Sequence, residues 1–157
     1  MSVAIVYATD TASLEDVVSH LREVEGDFVP ALSSRTDIVE YATKLKRHAR
    51  LCEAWSDGAL VGLVAGYCND RHSRTGFITS ASVLKRCLRQ GIGAHLVGQF
   101  LILARESGMV RVCLEVSRTQ APARQLYSKL GFQGRGTGGS SELMEIDLSG
   151  KANDESA

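Results

Sequence analysis

"LRQGIGAHLVGQF", Leu88 to Phe100, sets three glycines into a segment that otherwise reads as the start of an apolar helix, one continued by Leu101 and Ala104. Glycine costs a helix interior roughly 1 kcal/mol against alanine, so Gly91 and Gly93 at a helix start mark a place where something approaches the backbone. The segment just before it, "TGFITSASVL" (Thr75 to Leu84), sets Phe77, Thr79, Ala81 and Val83 against Ile78, Ser80 and Ser82, the alternation of a strand. A strand, a tight loop and a helix N-terminus together make an anion site. The first N–H groups of the helix lack partners, and its dipole adds about half a positive charge there.

Outward from this segment the chain alternates further. "VAIVYA" (Val3 to Ala8) predicts a first strand, and the Thr/Asp/Ser cluster after it suits a helix cap. Leu14, Val17, Val18 and Leu21 then recur at helical spacing, with His20, Arg22 and Glu23 at polar positions. Ser34 followed by Asp37 resembles a capping box for a second helix, whose stripe is Ile38, Tyr41, Ala42 and Leu45. "LCEAWSDGALVGLVAGYC" predicts a hairpin turning at Asp57-Gly58, a dipeptide that accepts positive φ. Beyond the glycine segment, Ser107-Gly108 ends the helix, Val110 to Val116 predicts a strand, and "APARQLYSKL" a short helix stopped by Gly131. Leu143 to Leu148 supplies a last strand. The order β, α, α, β, β, β, α, β, α, β predicts an α/β (α+β) fold, a mixed sheet with helices on both sides.

With 157 residues, 44% hydrophobic and 23% charged, the chain is long enough to bury a core and ordinary for a soluble domain. Lys+Arg and Asp+Glu both count 18, so no net field favours nucleic acid or an anionic membrane. No apolar run approaches the roughly 18 residues of a membrane span, and the N-terminus lacks the basic and apolar regions of a signal peptide. Cys52, Cys68, Cys87 and Cys113 form no CxxC pair, and His20, His48, His72 and His95 lack metal-ligand spacing. The expectation is a cytoplasmic, metal-free protein.

Three ligand classes compete for the glycine loop. A Walker-type loop ends in Gly-Lys-Ser/Thr, whereas Ala94 and His95 follow Gly93. A GxGxxG dinucleotide fingerprint needs a third glycine where Leu96 stands, although Glu115 lies about the right distance on. The third class fits better. From Val83 onward the chain resembles the GNAT N-acetyltransferases, whose acetyl-coenzyme A loop reads Val, a short spacer, Arg/Gln-x-x-Gly-x-Gly/Ala, then a helix. Val83 and Gly91-Ile92-Gly93 match at the right separation, while Leu88 stands at the usual Arg or Gln. "LEVSRTQAPARQLYSKLGF" (Leu114 to Phe132) resembles the second coenzyme segment of the family, LEVxxxNxxAxxLYxKxGF, with Gln120 in place of Asn.

This resemblance implies one acetyltransferase domain over residues 1–148, while the polar composition of 149–157, without aromatics, predicts a disordered tail. It implies acetyl-coenzyme A as co-substrate, its pyrophosphate held by backbone N–H groups of Arg89, Gln90, Gly91, Ile92, Gly93 and Ala94. The Arg89 side chain stands in for the polar one that Leu88 does not supply. In the family two strands splay apart and the pantetheine arm inserts, here at Ser82 and Val83, with the Gln120 amide on the arm. Tyr127 matches the general acid of many members, and Glu115 a base position of members that acetylate protein N-termini. Ser80 and Ser82 could instead line a water relay, and His72 is a remote candidate. The acceptor site falls on residues 25–50 and the loop Asn69 to Gly76. Phe28 to Ala49 resembles members associated with bacterial polysaccharide clusters, which implies an amino-sugar acceptor. A protein N-terminus, a polyamine, an aminoglycoside and a non-catalytic acetyl-coenzyme A sensor stay open, as does a homodimer.

Overall fold

Alternating and 3.6-period patterns become seven strands and four α-helices in a computed structural model that describes residues 4–28, 31–136 and 139–149. The strands are β1 (Val6–Thr9), β2 (Arg50–Ser56), β3 (Ala59–Tyr67), β4 (Thr75–Val83), β5 (Arg111–Ser117), β6 (Gln133–Gly134) and β7 (Ser141–Asp147). The helices are α1 (Leu14–Val24), α2 (Ile38–His48), α3 (Ile92–Glu106) and α4 (Ala121–Lys129). The sheet is mixed and mostly antiparallel, in the order β1-β2-β3-β4-β5-β7-β6. β1–β2, β2–β3, β5–β7 and β6–β7 pair antiparallel. β4 and β5 run parallel, from Thr75 opposite Arg111 to Ile78 opposite Leu114, with α3 as the crossover such a pair requires. The order of elements follows the sequence pattern except for β6, whose two residues are too few to show an alternation.

The chain divides into two compact units, Met1–Gly66 with Ser80–Phe100 and Tyr67–Thr79 with Leu101–Ala157. In the first, Asp57 (φ 51°) and Gly58 (φ 79°) are both left-handed, as the expected two-residue hairpin turn demands. α1 starts on a reciprocal cap: the Asp16 N–H donates to Ser13 Oγ at 3.1 Å, and the Ser13 N–H donates to the Asp16 carboxylate at 3.0 Å. Its buried stripe is Val17, His20, Leu21 and Val24. Two expectations are corrected here. His20 is in the core, not on the polar face. Leu14, one turn ahead of that stripe, is 38% exposed. The cap of α2 also differs. Asp37 itself is the N-cap, accepting from the Glu40 N–H at 3.0 Å, while the Ser34 hydroxyl donates to the nearby Ala31 carbonyl at 2.6 Å.

Glu53 on β2 is fully buried and accepts from the Thr11 and Ala12 N–H groups, the Thr11 hydroxyl and the Trp55 indole. A buried carboxylate so satisfied holds the chain entering α1 against β2. In the second unit α4 is tied to β7 by Arg124, whose guanidinium donates twice to Glu142, at 3.0 and 2.7 Å. α3 ends at Gly108 (φ 87°), with the Met109 N–H bonded to the Ala104 carbonyl at 2.9 Å. The four cysteines are free thiols. The polar tail expected to be disordered lies, from residue 150 on, outside the described residues.

Candidate active site

The glycine loop belongs to the first unit. Its base is fixed: the Leu84 N–H donates to the Val61 carbonyl at 2.8 Å, and Leu84 and Cys87 are buried at the two ends of a single 3-10 turn, Lys85–Cys87. Its rim is open. Leu88, Arg89, Gln90 and Gly91 are all exposed. Arg89 (φ 67°) and Gly91 (φ 75°) are left-handed, and such alternation is how short backbone runs build anion-binding concavities. The first bond of α3 runs from the His95 N–H to the Gly91 carbonyl at 3.0 Å. Helix geometry therefore leaves the N–H groups of Ile92, Gly93 and Ala94 without intrahelical acceptors. Nothing lies within 4 Å of where a Cβ on Gly91 would stand, so the backbone there can be approached closely.

What holds this helix end in place is a glycine that the sequence pattern does not single out. A Cβ on Gly62 of β3 would lie 2.9 Å from Ile92 Cγ2 and 3.1 Å from Leu96 Cδ1. Gly62 thus lets the first turn of α3 rest directly on β3. Its only signal in the sequence is a lone glycine within a strand, which points to a close approach without saying of what.

At the end of β4, Ser82 and Val83 are half-buried, and Ser80 is buried with its hydroxyl lacking a hydrogen-bond partner. The Ser82 Oγ lies 2.9 Å from His20 Nε2, and His20 Nδ1 lies 2.9 Å from the Leu60 carbonyl oxygen. A carbonyl only accepts, so Nδ1 carries the proton. Neutral His20 then presents a bare Nε2 to the Ser82 hydroxyl. Burial lowers the pKa of His20, against smaller raising effects of the Leu60 carbonyl and Glu23. This pair escaped the sequence pattern. The available signal was phase: positions 17, 20, 21 and 24 are i, i+3, i+4 and i+7 of one helix face.

The remaining candidates belong to the second unit. Tyr127 is 8% exposed, on α4, with its ring edge-on to Phe132 at 5.8 Å between centroids. Burial pushes its phenol up to about 12, above the ordinary value near 10 expected from the sequence. Gln120 is the N-cap residue of α4, so it and Tyr127 share one short helix. Glu115 is exposed on β5, opposite Leu143 of β7. His72 is exposed in the turn held by Asp70.

The model of the acetyltransferase (GNAT) family matches residues 15–132, a span that takes in the loop and both coenzyme-like segments. The chain belongs to the GNAT family. It is an acyltransferase by that membership. No curated protein sequence matches it. Solved structures share the GNAT fold. Ard1 from Thermoplasma volcanium has a TM-score of 0.76 at 24% identity, covering 93% of this chain and 99% of that one. The PaiA N-acetyltransferase from Thermoplasma acidophilum, solved in complex with coenzyme A, has a TM-score of 0.69 at 19% identity, covering 94% and 99%. A GNAT acetyltransferase from Staphylococcus aureus Mu50 has a TM-score of 0.75 at 13% identity, covering 93% and 100%.

Proposed function

We propose that this GNAT enzyme transfers the acetyl group of acetyl-coenzyme A to a primary amine by direct attack, within one domain over residues 1–148. The observation that carries the proposal is the open start of α3. Its left-handed Arg89 and Gly91, and its N–H groups without intrahelical acceptors, suit a diphosphate. In this reading the backbone of Arg89 to Ala94 takes the pyrophosphate, and the backbone at Ser82 and Val83 takes the pantetheine arm and polarises the thioester carbonyl. Gln120 adds an amide to the arm. Tyr127 donates to the leaving sulfur, and for the proton of the amine the family resemblance offers Glu115.

Amino sugars are the first acceptor class to test, because Phe28 to Ala49 resembles members associated with bacterial polysaccharide clusters. A protein N-terminus is the second. Free thiols at all four cysteines suit a reducing cytoplasm, and among the described residues no helix is long and apolar enough to cross a membrane. The test is an acetylation screen over amino sugars, diamines and N-terminal peptides, read by release of free thiol. Turnover on an amino sugar supports the reading. Tight acetyl-coenzyme A binding with no thiol release from any amine would make the chain a coenzyme sensor instead.

A further inference from the structure

We infer that His20 is the terminal proton acceptor of the acetyl transfer, reached through the Ser82 hydroxyl. The inference rests on the acetyltransfer reading and moves the base from the exposed Glu115 to a pair built into the first unit. The imidazole is 1% exposed, and its ring nitrogens already face Leu60 and Ser82. With the proton on Nδ1 held by the Leu60 carbonyl, the Ser82 hydroxyl donates to Nε2 and keeps its lone pairs for another donor. A base oriented by a third group and bonded to a hydroxyl at 2.9 Å has the geometry of an activated proton relay.

Packing alone does not account for the arrangement. Position 20 completes an otherwise apolar face, where a leucine would bury without a desolvation cost. The histidine instead meets a half-buried hydroxyl on a strand end, two residues before the loop that begins at Leu84. Of the charged groups on its own helix, Glu23 favours the imidazolium, and it lies 3.6 Å from the Arg86 guanidinium of the pre-loop turn. From β3 and β4 the facing groups are the Leu60 carbonyl and the Ser82 hydroxyl. Burial keeps the resting imidazole neutral and so ready to accept.

The step balances as follows. The amine nitrogen bonds to the thioester carbon, and the adduct nitrogen, made acidic by that carbon, passes its proton to Ser82 Oγ. The Ser82 proton moves to His20 Nε2. The C–S bond breaks with its electron pair on sulfur, and the departing thiolate takes its proton from solvent. His20 afterwards returns its proton through Ser82 to solvent.

The test uses the full chain with acetyl-coenzyme A and whichever of glucosamine, putrescine or an alanyl peptide releases thiol fastest. His20→Gln keeps an acceptor for Ser82 but cannot bind a proton. Its kcat should fall by about 10²-fold, the low end for acid–base catalysis, with the acetyl-coenzyme A Kd within about threefold of wild type. The acid limb of the kcat profile should disappear with it. Ser82→Ala should lower kcat similarly. Imidazole NMR of the wild type should show the proton on Nδ1, which carries the test with Ser82→Ala if His20→Gln fails to fold. A proton on Nε2, or a His20→Gln enzyme with wild-type kcat and acid limb, overturns the relay alone. If the wild type releases no thiol with any of the three amines, the acetyltransfer reading fails and takes the relay with it.

Discussion

A buried phenol keeps its proton. Tyr127 titrates at about 12 because burial disfavours the phenolate, so it remains a hydrogen-bond donor at every working pH. Against a thiol of about 8.5, complete proton transfer runs uphill. In the proposed mechanism the hydroxyl would therefore act while the C–S bond is breaking and the sulfur carries excess charge. Tyr127→Phe keeps the ring and its edge contact with Phe132 and removes only the hydroxyl. Steady-state assays should show kcat lower by about 10²–10⁴-fold with the acetyl-coenzyme A Kd unchanged, and a fully active variant would end the assignment. The same shift sets a stability window. The folded pKa lies above the unfolded value, so its contribution is complete below about pH 10 and is lost as pH rises towards 12. Denaturant unfolding of the wild type should lose about 3 kcal/mol across that window. Tyr127→Phe should not.

At the scale of elements, the loop and the first turn of α3 act together. Gly91 needs its left-handed φ, and a β-branched residue there is strained, so Gly91→Val costs about 1–2 kcal/mol of folding stability. Gly93→Val lies inside the helix and escapes that strain. Calorimetric titration should find acetyl-coenzyme A binding weakened at least tenfold in Gly93→Val, with thermal unfolding close to wild type. Equal losses of binding and stability would mean that the glycines serve the loop alone. Leu88 is 53% exposed, so replacing it removes little packing. Leu88→Arg should tighten acetyl-coenzyme A by about 0.5–1.5 kcal/mol through a phosphate contact. Unchanged affinity would place that contact on Arg89. The sequence showed this loop, but not what supports it. Gly62 and Ile92 are 30 positions apart in the chain, and no periodicity links a strand glycine to the helix end that rests on it.

For the whole molecule, the proposed co-substrate should stabilise the fold by linkage. At 100 times its Kd, acetyl-coenzyme A should add about 2.7 kcal/mol, a rise in melting temperature of roughly 5–10 °C for a chain of this size. NADH and ATP should do less, because the loop lacks the third glycine of a dinucleotide fingerprint and the lysine of a phosphate loop. Scanning calorimetry with each ligand separates these cases. A larger shift with NADH would displace the acetyltransfer reading.

Local pattern alone determined the order of strands and helices, the Asp57-Gly58 hairpin, the glycine loop before α3 and the two segments that resemble the GNAT coenzyme motifs. Each of these is written within a few residues, in hydrophobic period, turn chemistry or fixed spacing. The tertiary structure decided the rest. His20 reads as a polar helix position until α1 packs, when it meets a hydroxyl 62 positions away. Tyr127 has an ordinary phenol in the sequence and acquires its raised pKa only through burial. The two-residue β6 exists because β7 lies beside it to accept a partner. Desolvation and long-range hydrogen bonds depend on which surfaces meet, and a residue's sequence neighbours carry little record of that.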